Sequence, residues 1–264
     1  MGTSTWVVPG PQTIDVPAVR AVRLQLIGGR AEVVAWDEAV TRVEVRAVLG
    51  HPLEARLEED RLTVGYPFLG WDGWLTRLRS YRARDVADVR VLLPRGAGLK
   101  VGTAVADVVV GGVAEDVSVG TASGAVRIEG GHGLADVKAV SGGVLVTGHD
   151  GAARVSTVSG AVGVDGALPR AEVSTVSGAV RLGTTLATSV MSVNAVSGRV
   201  GVELPDGCGL VLTARTMSGR VTVDGADRKT AGSTSVQEQT DATGCWLTVN
   251  TISGDVDVRR GPQD

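Results

Sequence analysis

A Ser-Gly step that recurs seven times is the feature that most constrains the fold of this 264-residue chain. Successive steps are 18, 18, 18, 20, 21 and 35 residues apart, and residues 154–166 and 172–184 read RVSTVSGAVGVDG and EVSTVSGAVRLGT. Repetition at a fixed length indicates a repeat architecture, in which each unit buries its apolar face only against its neighbours. The repeated residues are Ser123, Gly124, Ser141, Gly142, Ser159, Gly160, Ser177, Gly178, Ser197, Gly198, Ser218, Gly219, Ser253 and Gly254.

Inward-type residues alternate on both sides of each Ser-Gly step, but with opposite parity. In one copy Val155 and Thr157 precede the step, and Val162 and Val164 follow it. Residues spaced by two point to one face of a strand, so a single flat strand cannot bury both pairs. We therefore predict that the chain turns a structural corner at each Ser-Gly step, where glycine relieves the backbone.

The length of the repeat predicts how the corners are arranged. Eighteen residues at about 3.3 Å each give roughly 60 Å of chain, which suits one closed coil of two or three short strands. Successive coils would then stack in parallel, about 4.8 Å apart. A β-sandwich of hairpins is the alternative, although hairpins have no reason to repeat their sequence every 18 residues. We predict an all-β, β-helix-like parallel solenoid with about 18–21 residues per coil.

The repeats also predict the domain organisation. Residues 1–95 have strand character without clean copies and are predicted to form an irregular N-terminal β region or cap. Residues 96–264 are predicted to form the repeat solenoid, continuous with the cap in one structural domain.

One short helical insertion is predicted near residues 71–84. Its apolar residues Trp71, Trp74, Leu75 and Leu78 follow helical spacing, which is typical of an amphipathic segment. These four side chains are a candidate interaction surface for a membrane or a partner. The alternative, which we favour, is a lid over the solenoid.

No pattern in the sequence predicts catalysis, a cofactor or a metal. A serine repeated seven times is a structural unit, and no G-x-S-x-G nucleophile elbow is present. His132 and His149, with Asp136 and Asp150, are a conceivable metal site, but we favour solvated corner residues. We therefore expect a protein that is not an enzyme.

Charge and leader-type segments limit the expected partners. The net charge of −3 argues against nucleic acid as a partner. The first residues lack a secretory signal pattern and no apolar run suits a transmembrane helix, so a cytoplasmic location is expected. The cell envelope would then be reached only by another export route. Cys208 and Cys245 fit reduced thiols, with a disulfide as the lesser alternative.

Three motifs carry a resemblance to a known family. They are the recurrent T-V-S-G-x-V-x-V, the L-x-L-I-G-G-x-x-x-V-V of residues 24–34, and W-x-G-W-L at 71–75 followed by V-x-V-x-L-P at 89–94. With them, the chain resembles the bacterial "putative adhesin" β-strand-repeat family, a domain of unknown function, in its cytosolic actinobacterial-type members. The resemblance implies a right-handed, parallel β-helix-like fold and supplies no catalytic residues.

Three functions remain open from the sequence. The first is a non-enzymatic scaffold or protein-binding solenoid of unknown specific role, because repeat surfaces are suited to binding. Its partner would be an unknown protein or envelope component, and self-association through the solenoid ends is possible. The second is an adhesin at the cell surface or envelope, and the third is a carbohydrate-active β-helix protein.

Overall fold

The computed structural model describes residues 3–66, 85–228, 234–239 and 244–261. Within these ranges the chain forms 25 β-strands and no helix, which confirms the all-β fold class. The chain divides into two compact units, Met1–Gly133 and Leu134–Asp264. The helical insertion predicted near residues 71–84 lies outside the described residues, and the boundary predicted between residues 95 and 96 stays a prediction.

The first unit contains short strands with alternating buried and exposed side chains. They are β1 (Thr3–Val8), β2 (Gln12–Pro17), β3 (Ala21–Leu26), β4 (Gly28–Trp36), β5 (Val40–Leu49), β6 (Leu53–Glu58), β7 (Arg61–Gly65), β8 (Val86–Pro94), β9 (Gly98–Thr103), β10 (Asp107–Gly111), β11 (Val117–Ser123) and β12 (Val126–Glu129).

Two hydrogen-bonded ladders organise the first unit. One runs β1–β6–β7–β3–β9–β11, and the other runs β2–β5–β8–β4–β10–β12. Pairing is parallel from β7 to β11 and from β8 to β12, and antiparallel at the ends formed by β1, β6, β2 and β5. Antiparallel strands thus cover the outer edge of each parallel ladder in this unit.

The second unit contains most of the repeat copies. Apart from the first two residues of β13, which belong to the first unit, its strands are β13 (His132–Ser141), β14 (Val144–Ser159), β15 (Val162–Ala167), β16 (Arg170–Ser177), β17 (Val180–Gly183), β18 (Val190–Ser197), β19 (Val200–Leu204), β20 (Gly209–Ser218), β21 (Val221–Val223), β22 (Ala226–Asp227), β23 (Thr234–Gln239), β24 (Gly244–Ser253) and β25 (Val256–Arg260).

Copies of the repeat pair with each other in parallel in the second unit. Val155 lies opposite Val173, and Val162 lies opposite Val180, each exactly one 18-residue repeat further along the chain. The β-sandwich alternative would require antiparallel hairpins between these copies. We call the ladder β14–β16–β18–β24–β20 the first ladder and β14–β15–β17–β19–β25–β21 the second ladder.

The core of the second unit follows the alternation in the sequence. Val155 and Thr157 are buried before the Ser-Gly step, and Val162 and Val164 are buried after it. The predicted change of parity at the step is therefore confirmed. Burial of each aliphatic side chain in these columns contributes about 1.5–3 kcal/mol before the entropy of ordering the chain is counted.

The coils of the second unit do not stack in the order of the sequence. Strand β24 pairs on one side with β18 and on the other with β20, and β25 likewise lies between β19 and β21. The last coil of the chain is therefore inserted between two earlier ones. Strands β22 and β23 then pair antiparallel with β21 and β20, on the side away from the inserted coil.

The glycines of the Ser-Gly steps are in direct backbone contact from coil to coil. A Cβ atom on Gly178 would overlap the carbonyl of Gly160, and one on Gly198 would overlap the carbonyl of Gly178. Gly178 also has a φ of 147°, in the region that side chains rarely adopt. The same contact joins Gly254 to Gly198 and Gly219 to Gly254, which reproduces the inserted order of the coils.

We predict that Gly178→Ala lowers the free energy of unfolding by about 3 kcal/mol, because it adds both a backbone clash and an unfavourable φ. Gly201→Ala is the matched control. Its Cβ would find only the Val180 carbonyl oxygen, 3.9 Å away. Chemical denaturation followed by circular dichroism measures both variants, and equal stabilities would contradict this account of the corner.

Candidate functional site

An exposed column of aliphatic side chains runs across the first ladder. Each member immediately precedes the serine of a Ser-Gly step and is flanked by residues in register, such as Thr157 opposite Thr175 and Ser159 opposite Ser177. Their exposed fractions range from 43% to 69%, although all five side chains are large and apolar. We call this column the aliphatic ridge; it consists of Val158, Val176, Val196, Ile252 and Met217.

A column of hydroxyl and amide side chains lies beside the aliphatic ridge, two residues earlier in each coil. We call it the polar column; it consists of Ser156, Ser174, Asn194 and Asn250, which are paired in register from strand to strand. The Nδ2 group of Asn250 donates a hydrogen bond of 3.0 Å to Oδ1 of Asn194. Arg215 continues the column on β20, opposite Asn250.

The two columns enclose a shallow groove of about 370 Å³. Its lining also includes Thr157, Thr175, Ala195 and Thr251, which lie between the columns in the sequence. None of the described residues that line this groove is charged. The groove therefore offers one aliphatic wall and one neutral hydrogen-bonding wall, which suits an uncharged and partly apolar surface.

The predicted corner residues lie where strands end, with each serine as the last residue of its strand, and they make structural contacts. Ser197 Oγ donates a hydrogen bond of 3.3 Å to the carbonyl of Val176 in the neighbouring coil. In the first unit, the amide of Ser123 donates to the carbonyl of Ala104 at 2.6 Å, and a Cβ on Gly124 would overlap the carbonyl of Ala106. These contacts hold adjacent coils together and do not assemble reacting groups.

The other predicted interaction surface is not described by the structure. Trp71, Trp74, Leu75 and Leu78 lie outside the described residues. The described residues on either side of them are Tyr66 and Asp85, both buried. Asp85 accepts a 2.8 Å hydrogen bond from the amide of His51, and burial, with a smaller effect from the Asp85 charge, raises the pKa of Tyr66 to about 12.

The two histidines of the conceivable metal site were predicted to be solvated corner residues, and this prediction is wrong for His149. His132 lies in the first unit and is exposed, but His149 lies in the second unit and is only 1% exposed. A bulge between Val146 and His149 turns the imidazole inward, where Nε2 lies 3.2 Å from the carbonyl oxygen of Ala152. Among the described residues, no three His, Cys, Asp or Glu side chains are grouped so as to hold a metal ion.

The two cysteines are brought together by the inserted coil. Cys208 and Cys245 are free and buried, and their Sγ atoms are 3.3 Å apart. Burial raises the pKa of Cys245 to about 12, and its hydrogen bond with Cys208 acts in the same direction. Cys245 is therefore held as a neutral thiol.

A comparison with known families identifies the family to which the chain belongs. The model of the Toastrack DUF4097 family matches residues 85–259. The chain belongs to the Toastrack DUF4097 family. The resemblance to a "putative adhesin" domain of unknown function is thereby confirmed. No curated protein matches the chain.

Two crystal structures of similar proteins extend over nearly the whole length of this Toastrack chain. A "putative adhesin" from Bacteroides fragilis NCTC 9343 is 11% identical with a TM-score of 0.51, covering 96% of this chain and 98% of its own. A "putative lipid binding protein" from Parabacteroides distasonis ATCC 8503 has the same identity, TM-score and coverage. At this identity the likeness shows the fold alone.

Within the described residues, no helix meets the length and hydropathy needed to cross a bilayer.

The sequence contains a signal for the aliphatic ridge in addition to the Ser-Gly repeat. In T-V-S-G, the threonine is inward by parity, so the valine after it must point outward. An aliphatic residue at an outward position in each of these coils is unusual for a surface that contacts only water. The signal is therefore the recurrence of Val, Ile or Met at this position, combined with the parity.

We predict that the pH dependence of stability reveals the buried thiol. The folded-state pKa of Cys245 is raised from 9.0 to about 12, so the unfolded chain releases this proton at lower pH than the folded chain. This contribution is complete below pH 9 and is lost at about 1.4 kcal/mol per pH unit as the pH rises towards 12.

Urea denaturation between pH 8 and pH 10 measures this loss. The Cys245→Ala variant is the control, because it keeps Tyr66, whose raised pKa also reduces stability at alkaline pH. The wild-type protein should lose more stability over this interval than the variant. Identical slopes for the two proteins would contradict this prediction, because they would mean that the pKa of Cys245 is the same in the folded and unfolded chains.

Proposed function

We propose that this protein is a non-enzymatic scaffold or protein-binding module, adhesin-like in type, whose binding face is the first ladder of the second unit. The observation that supports it is the aliphatic ridge beside the neutral polar column. An ordered row of exposed apolar side chains, one in each of five neighbouring coils, marks an interaction surface. The groove between the columns contains no carboxylate, thiol or imidazole among its described lining residues.

We infer that the parallel ladders are the faces of a right-handed β-solenoid with 18–21 residues per coil. The in-register pairing of copies 18 residues apart supports parallel coils. Connections between parallel strands are right-handed in nearly all proteins, which supports the handedness. On such a solenoid, identical positions of successive coils form a continuous surface, and this is the property that a scaffold uses.

An envelope-associated adhesin is the second candidate. The names of the two similar structures, "putative adhesin" and "putative lipid binding protein", motivate a protein or lipid component of the envelope as the partner. We propose the cytoplasm as the compartment, since the paired cysteines are free thiols and reduced cysteines are typical there. Cell fractionation with detection of the native protein distinguishes the two candidates.

The remaining candidates are less well supported by this groove. A carbohydrate-active enzyme places two carboxyl groups on either side of the bond that it cleaves, and the lining residues include none. Nucleic acid as a partner would need a cluster of basic side chains, whereas the described groove lining is neutral and the chain has a net charge of −3. We therefore propose no cofactor and no metal.

We predict that Asn194→Arg, which places a charge and added bulk in the groove, removes capture of the native partner. The matched control is Thr222→Arg, on the outer side of the second ladder in the same unit. Each protein is immobilised and exposed to soluble and envelope fractions of the native cell, and the captured components are identified by mass spectrometry. Capture that is equal for all three proteins would place the binding face elsewhere.

A further inference from the structure

We propose that the aliphatic ridge docks against a second copy of this chain, so that the protein forms a two-fold symmetric dimer through the first ladders of the two second units. This inference rests on the proposed function, because it names the partner of the same face. It differs from self-association through the solenoid ends, which would join the coils edge to edge.

The exposure of the ridge calls for an apolar partner. Val158, Val176 and Val196 are 49%, 48% and 43% exposed, and Ile252 and Met217 are 50% and 69% exposed. Together they present roughly 400 Å² of contiguous apolar area, which is the size of the largest patches on monomeric proteins. Water is a poor solvent for a continuous patch of this size, so covering it is favourable.

The spacing of the ridge selects a partner with the same spacing. The strands of the first ladder are paired in register, so successive ridge residues lie about 4.8 Å apart over five coils. A second copy has an identical series of ridge residues and an identical groove beside it. The ridge of each copy can therefore occupy the groove of the other, which is the self-complementary contact of a two-fold dimer.

The charges around the ridge permit this contact. Ser174, Asn194 and Asn250 form the neutral wall of the groove, so two copies meet without like charges in the centre of the interface. In the next column outward, Arg154 and Glu172 pair with each other at 3.2 Å. The hydroxyl and amide groups of the polar column can donate and accept hydrogen bonds across the contact, as polar groups of an interface usually do.

The available area sets the expected affinity. The ridge, the groove and the polar column of two copies together give about 1,000–1,200 Å², at the lower limit of specific interfaces. We therefore expect a reversible dimer with a dissociation constant of about 1–100 μM, because small interfaces in this range are usually weak.

Sedimentation velocity of the full chain between 1 and about 300 μM tests the dimer. We expect Val196→Lys to weaken the dimer at least about 30-fold, because it places a charge in the middle of the ridge. The matched control is Thr222→Lys, on the outer side of the second ladder and outside the proposed binding face. This control should dimerise as the wild type does, and circular dichroism checks that both variants are folded.

A charge-swap experiment tests whether two ridges face each other. Val196→Glu alone should weaken the dimer as much as Val196→Lys does, and mixing the two variants should restore dimers, since opposite charges then meet across the two-fold axis. A wild-type protein that stays monomeric at about 300 μM would overturn the inference. So would a Val196→Lys variant that dimerises as tightly as the wild type, or a mixture that gives no gain in dimer.

The two proposals fail in distinguishable ways. If the wild-type protein is monomeric but Asn194→Arg still loses captured components that Thr222→Arg retains, the binding face stands and the second copy is not its partner. If both copies associate independently of Val196, the contact lies elsewhere, as at the ladder ends formed by β22 and β23.

Discussion

The close contact of glycine with glycine between neighbouring coils is the constraint on which the second unit depends. At these corners the backbone of one coil lies so near the next that no Cβ atom fits between them, as at Gly178 and Gly198. This proximity allows the strands on both sides of the corner to form parallel ladders. Any larger residue would push the coils apart and weaken the hydrogen bonds of both ladders at once.

Stacking in register gives the two ladders different outer surfaces. On the second ladder the outward side chains include ion pairs such as Arg181 with Glu203 and Arg259 with Asp257. Exposed ion pairs of this kind contribute little stability, but they keep the surface hydrated. The first ladder also has an outward ion pair, Arg154 with Glu172, but at the position before each Ser-Gly serine it repeats valine and its analogues outward. This part of the first ladder is therefore suited to a partner. The same repetition that builds the core thus also builds a binding face.

The inserted coil explains how the second unit ends and why its cysteines meet. Because β24 and β25 lie inside the ladders, the last coil in sequence is covered on both sides, and the shorter strands β22 and β23 occupy the edge. Short edge strands limit unwanted pairing with other chains. The insertion also brings Cys245 against Cys208, although 37 residues separate them in the chain. In the first unit β3 and β4 are likewise inserted, between β7 and β8 on one side and β9 and β10 on the other.

The sequence by itself determined the strand content, the corners and the inward residues. These depend on local alternation and on an 18-residue spacing that places Val155 and Val173 at equivalent positions, and the structure pairs them. The tertiary structure decided which coils are neighbours. Strand β24 pairs with β18 and β20, and this pairing depends on contacts that form only after the chain has passed residue 244. It also decided that His149 is buried, since one bulge reverses the direction of its side chain. The aliphatic ridge lies between these two cases: each valine can be assigned to the outer face from parity, but only the order of the coils places Ile252 between Val196 and Met217 and makes the ridge continuous.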